Sequence, residues 1–260
     1  MKVYIMTDME GISGVSIPEM VRKGEPQYEA ARRWLTSDVN AAVAGAFDAG
    51  AAEVIVNDGH GGAPHMILDE ADPRALYERP NGGADCCPGL DHSFGCMFMV
   101  GAHAKAGTMK AFLEHTQSSI HWLDYRINGV SYGEMGQQAI WGGALGVPLT
   151  LATGDDAACR EAREQLGVPV TVEVKWAISR SYARCMHPTR AAELIREGAA
   201  RALQAAADTP PFVIEPPLTV EVTYTRCDYA DDAAAKPHMQ RVDARTVRTV
   251  VDHGTKILML

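Results

Sequence analysis

Four residues of this 260-residue chain have the types and placing to do chemistry together: Asp8, Glu10, His60 and His103. Asp8 and Glu10 stand two positions apart, so in extended chain both carboxylates project to one side. His60 lies in Asn57-Asp58-Gly59-His60-Gly61-Gly62, and His103 closes Gly101-Ala102-His103. All four follow short apolar runs, at residues 3–6, 52–56 and 96–100. Two carboxylates and two imidazoles crowded into one crevice would repel or shift one another's pKa values. A divalent ion among them removes that penalty by supplying positive charge. Oxygen and nitrogen donors without thiolate suit zinc, and also manganese or cobalt. Two such ions about 3.5–4 Å apart can share a hydroxide and polarise a carbonyl, a device used for amide and phosphoester hydrolysis.

Taken singly, each residue has a plainer reading. An Asp after a strand commonly makes a turn or caps a helix. A lone His is commonly a hydrogen-bonded surface or core residue. The glycines around His60 could make a flexible turn or a cradle of backbone N–H groups for an anion. Their spacing matches neither the dinucleotide nor the phosphate-loop pattern. The joint placement at strand ends is what favours a metal, and it requires a frame that brings those ends together.

The rest of the pattern supplies one. The three apolar runs, and a fourth at 147–152, alternate with helical periodicity. Residues 28–49 carry Trp34, Val39, Val43, Ala46 and Phe47 at helical spacing, with Gly50 as a stop. Residues 134–145 read as helix, and 189–207 as an amphipathic helix with Leu194, Ile195 and Leu203 inward. The expected fold is therefore α/β, a largely parallel open sheet with helices on both faces. Its carboxyl ends line one crevice, where ligands bind. Prolines 210, 211, 216 and 217 then break the chain, 218–225 alternates like a half-buried strand, and 256–260 reads as another. Residues 168–260 are expected to form a smaller α+β portion packed on a metal-binding domain of residues 1–167. Residues 61–95 are loop-rich, with a short helix expected at 65–77. Asp155 or Asp156, after the fourth run, is read as a helix cap.

Composition narrows the partners. A net charge of −9 argues against a nucleic-acid surface. No run reaches the roughly 18 apolar residues of a membrane span. The opening MKVYIMTDMEG meets charge at once, without an apolar signal core, so a cytoplasmic location is expected. Six cysteines with no C-x-x-C pair are expected to be reduced and structural.

Five strings appear in order: TDMEGISGV at 7–15, NDGHGG at 57–62, VGAHAKAG at 100–107, EHT at 114–116 and NGVSYGEMG at 128–136. Their content and spacing resemble the D-aminopeptidase family, dinuclear zinc peptidases associated with a bacterial dipeptide-transport operon. The resemblance implies two divalent ions per chain, zinc by analogy, and adds Glu134 to the ligand set. One ion would take Asp8, Glu10 and His103, the other Asp8, His60 and Glu134, with Asp8 as the bridge. It also implies a catalytic histidine, His115, which the family treats as nucleophile. Chemically, proton transfer or stabilisation of the intermediate suits an imidazole better, with metal-bound hydroxide attacking. Asn57 and Asp58 are candidates to orient ligands. The substrate implied is a short peptide with a free amine on a D-residue, and the implied assembly is a homo-oligomeric ring. Stereochemistry would come from the pocket wall, with residues 61–95 the candidate stretch. Two other readings remain at this point: a metal-dependent hydrolase of another amide or of a phosphoester, for which only Lys105 and Lys110 lie near as a clamp, and a non-catalytic binding protein whose affinity survives metal removal.

Overall fold

Near-continuous apolar runs favour strands covered on both faces, because no alternate position needs water. In the computed structural model, which describes residues 1–62, 64–78 and 85–260, those runs become the centre of a seven-stranded sheet. The first half of the chain gives β1 (Lys2–Thr7), α1 (Tyr28–Asp48), β2 (Glu53–Asp58), β3 (Leu76–Glu78), β4 (Cys96–Ala102), β5 (Trp122–Ile127) and β6 (Val130–Ser131). Then come α2 (Glu134–Ala144), β7 (Leu149–Asp155), α3 (Asp156–Leu166), β8 (Val170–Ser179), β9 (Tyr182–Cys185) and α4 (Pro188–Ala205). The chain ends with β10 (Leu218–Tyr224), α5 (Cys227–Ala234), β11 (Gln240–Arg241) and β12 (Thr246–Val251). Every residue of β4 and β7 is buried.

The larger sheet runs β3-β2-β1-β4-β7-β8-β9, parallel except for the β8–β9 edge. Strand order reverses at β1, which pairs with β2 on one side and β4 on the other. Its register is what matters for the site. Thr7 pairs with both Asp58 and Val100, so β1 and β2 end level, β4 runs two residues further, and the residues that follow all three emerge at one edge. One face packs Val3, Ile5, Val54 and Phe98 under α1 and α4. The other packs Tyr4, Met97 and Met99 with residues of α2, α3 and the smaller sheet. Each fully buried aliphatic or aromatic side chain there contributes about 1.5–3 kcal/mol.

The smaller sheet, β11-β12-β10-β5-β6, is antiparallel throughout. The alternation expected at 218–225 is real: Leu218, Val220, Val222 and Tyr224 are buried. The division expected at residue 168 does not coincide with the division between sheets. Strands β8 and β9 continue the larger sheet, and β5 and β6 join the smaller one.

Two local expectations are corrected. Residues 65–77 make no α-helix: they hold a 3-10 turn, Leu68–Glu70, and enter β3 at Leu76. Asp58 Oδ2 takes the N–H groups of His65 and Met66, and Asn40 Oδ1 takes that of Asp72, so tertiary bonds hold the backbone away from a helix. Residues 256–260 are not a strand. A 3-10 turn, Gly254–Lys256, docks on α2, Ile257 is fully buried, and its carbonyl accepts the Tyr125 hydroxyl. Residues 63 and 79–84, part of the stretch expected to govern substrate choice, lie outside the described residues. All six cysteines are free. Among the described residues no helix is long and apolar enough to cross a membrane.

Candidate metal centre

The chain leaving β1 is stitched to the end of β4: the Asp8 N–H donates to Val100 O and the Gly11 N–H to Gly101 O, both near 2.9 Å. Gly101 sits at φ +87°, and a Cβ there would fall 2.1 Å from the Asp8 carbonyl. Only glycine permits that approach. The result places Asp8 and Glu10 beside His103, all three buried.

His60 arrives from the end of β2 on a loop tied back by Asp58. His65 underpins that loop. Its Nε2 lies 3.1 Å from His60 O, its Nδ1 lies 2.6 Å from the Tyr28 hydroxyl of α1, and its ring meets the His60 ring edge-on at 4.8 Å. Nothing in the sequence marks His65, because its decisive partner is 37 residues away. Asn57, by contrast, donates to Tyr4 Oη.

Asp8 is the hub. Its Oδ1 is 2.8 Å from His60 Nδ1 and its Oδ2 is 3.2 Å from His103 Nε2. Glu10 Oε2 lies 3.1 Å from His60 Nδ1, and Glu134 Oε1, at the start of α2, lies 3.4 Å from His103 Nε2. His115 stacks on His103 at 4.1 Å and 10°, with its Nε2 3.5 Å from the same Glu134 oxygen. The structure therefore brings together all six residues that sequence reading and resemblance named.

Backbone strain frames His115. Lys110, Leu113 and Gln117 all have positive φ, near 50–60°. The payoff at Gln117 is visible: its N–H donates to Glu134 Oε1 at 2.7 Å. Asp155 caps α3 as expected, accepting the Ala158 N–H on Oδ1, and its Oδ2 also accepts the Phe112 N–H. Lys175 was not foreseen. It is fully buried, pushed down to about 8 by burial, and its Nζ donates to the carbonyls of Glu10 and Val15.

The electrostatics test whether a cation fits. Burial works to raise the Asp8 carboxyl, but the bonds and charges of His103 and His60 outweigh it and hold it far below the usual carboxylate range. Burial is likewise overcome at Glu134, which His103 draws down to about 2. Burial opposes charge on His60 and His103, yet the facing carboxylates push both well above the ordinary imidazole value. The cluster thus favours positive charge at its centre. Glu10 Oε2 and His103 Nε2 are buried, and their close charged contacts leave neither with a hydrogen bond of good geometry among the described residues. Donor atoms of Asp8, Glu10 and His103 lie within 4.8 Å of one another, as do those of His103, His115 and Glu134. Orphaned donors, spacing and O/N chemistry all fit divalent metal.

The sequence as a whole matches the family described as D-aminopeptidase over residues 1–260. The chain belongs to the D-aminopeptidase family. A D-aminopeptidase of Bacillus subtilis (strain 168) is 35% identical over 205 residues, covering 78% of this chain and 74% of that protein. A solved structure, described as a Zn-dependent D-aminopeptidase DppA from Bacillus subtilis and a self-compartmentalizing protease, matches with a TM-score of 0.96 at 29% identity. That match covers 100% of this chain and 94% of the other. As a D-aminopeptidase family member, the chain is a metal-dependent peptidase, which sets aside the phosphoester and non-catalytic readings.

Proposed function

We propose that the chain is a dinuclear zinc aminopeptidase that removes an N-terminal D-amino acid from short peptides. The observation carrying this reading is the position of Asp8, whose two oxygens each face a different histidine. In our assignment Asp8 bridges the two ions, and Glu10, His60, His103 and Glu134 complete the two sites, with Glu10 lying against His60 and Glu134 against His103. When bound, the ions supply Lewis acidity toward the scissile carbonyl and make water a stronger acid.

The protein's own groups do the rest. His103 Nδ1 donates to the Ala104 carbonyl, which leaves Nε2 with the lone pair a ligand needs. His115 Nδ1 donates to Leu113 O, so its Nε2 is the atom free to take a proton from the attacking water and hand it to the departing amine. Gln117 holds Glu134 in place through its N–H. The acid-rich wall suits the substrate's ammonium group. The Bacillus relative is described as Zn-dependent and self-compartmentalizing. We carry both properties over: zinc as the native metal, and a homo-oligomeric ring as the working form.

The test combines elemental analysis of purified protein with kcat/KM for free-amine and N-acetylated D- and L-alanyl dipeptides. Two zinc ions per chain and fastest cleavage of the free-amine D-form are expected. Equal or faster cleavage of acetylated compounds would rule out an aminopeptidase, and a preference for L-forms would overturn the stereochemical part.

A further inference from the structure

We propose that Arg22 and Arg180 form a subsite for the C-terminal carboxylate of a short peptide, so that the enzyme reads both ends of its substrate. This rests on the aminopeptidase reading above and extends it to substrate length and charge.

The site opens into a cavity of about 460 Å³ whose wall includes Asp8, His60, His115, Arg22 and Arg180. The two arginines come from segments far apart in sequence, and only the fold places them in one wall. Arg22 follows the 3-10 helix Pro18–Val21. Its main chain is bonded to Glu19 and Glu25, and its guanidinium makes no hydrogen bond or ion pair among the described residues. A cation with no structural duty, in the wall of a catalytic cavity, is available to a ligand. Arg180 lies between β8 and β9. Its carbonyl accepts the Leu113 N–H, its Nη2 donates to Glu114 O, and its Nε lies 3.3 Å from Glu114 Oε1. These contacts pin it against the segment that carries His115 and leave Nη1 uncommitted.

The cavity wall therefore carries both signs. Carboxylates and imidazoles gather where metal would sit, and two guanidiniums line the same wall. A dipeptide is a zwitterion and likewise carries both. With its scissile carbonyl at the metal cluster, its carboxylate lies one residue beyond, about 3.5 Å further along extended chain. Guanidinium forks bind carboxylates bidentately and more tightly than neutral donors do. A longer peptide carries its carboxylate past this wall, and a C-terminal amide presents no charge to it. Overall net charge disfavours anions at the mouth, and these two side chains reverse that locally.

The experiment compares D-alanyl-D-alanine with D-alanyl-D-alaninamide, equal in length and differing at the C-terminal group. The reading is the ratio of their kcat/KM values in metal-replete wild type, R22A, R22K, R180A and R22A/R180A. Wild type is expected to favour the free acid. R22A should lower the ratio about 10–100-fold, the loss expected for one charge-assisted hydrogen-bonded pair, and through KM rather than kcat. R22K should recover part of it, since charge remains without the fork. The double variant should lower the ratio further. A ratio unchanged within about twofold in both R22A and R22A/R180A overturns the subsite. Hydrolysis of neither compound by wild type, with metal bound, overturns the aminopeptidase reading beneath it.

Discussion

His103 and His115 share a device: each spends Nδ1 on a main-chain carbonyl and turns Nε2 toward the Glu134 carboxylate. They differ in what Nε2 meets next. That of His103 also faces Asp8, which gives it a ligand's place. We predict that Asp8→Ala removes most of both metals, because both half-sites share it; two ions per chain by elemental analysis in this variant would end the bridging role. We predict that His115→Ala keeps its metal content and loses roughly 10²–10⁴ in turnover, the usual worth of a general acid or base. Turnover like wild type would remove His115 from the mechanism. That Asp8, Glu10, His60 and His103 would gather was legible from residue type and joint placement, since polar side chains directly after apolar runs stand out in a parallel sheet. Glu134 and His115 were not. They lie on a helix start and an irregular segment, and only resemblance to a family pointed at them. Lys175 left no sequence trace because it holds the main-chain carbonyls of distant Glu10 and Val15, and His65 because it joins the Tyr28 hydroxyl of α1 to the His60 carbonyl.

The elements decide whether these atoms meet. The ends of β1, β2 and β4 aim three loops at one place, and the long segment between β4 and β5 is fastened to α2, α3 and the β8–β9 turn by separate bonds. Asp155 is one fastening, capping α3 and holding Phe112 close to His115. Asp155→Ala is predicted to cost about 2–3 kcal/mol, a cap plus an orphaned buried N–H. Urea unfolding should show a lower midpoint at unchanged slope. A change under about 0.5 kcal/mol would show that α3 and Phe112 are held otherwise. The strands and long helices were readable because burial imposes periodicity. The failures share a cause: residues 65–77 and 256–260 take their shape from side-chain and main-chain bonds to α1, β2 and β5, which periodicity does not record.

At the scale of the whole molecule, buried charge sets how stability answers to pH. Burial raises the Asp38 carboxyl to about 6, despite its two bonds from Ser13. The folded state then binds that proton more tightly than the unfolded chain does. This contribution is present at low pH and is lost as pH rises from about 4 to 6, by on the order of 3 kcal/mol at most. Glu134, drawn down to about 2, acts in the opposite sense and over a lower window, losing its contribution as pH falls through about 4 to 2. Subtracting the urea stability of Asp38→Asn from that of wild type isolates the first term. The difference should fall across pH 4–6, and a constant difference would contradict it.

The chain also crosses between sheets in a way that sets an order of events during synthesis. It leaves the larger sheet after β4, lays down β5 and β6, and returns through α2, which begins with Glu134. Strand β5 pairs with β6 and with β10, and β10 ends at Tyr224. On the ribosome, roughly 90 further residues must follow Glu134 before its anchoring strand finds that partner, a delay of about 5–18 s at ordinary elongation rates. Asp8, Glu10, His60 and His103 are all made long before. A nascent chain that already holds all five candidate ligands therefore still waits for β10 before β5 gains its second neighbour.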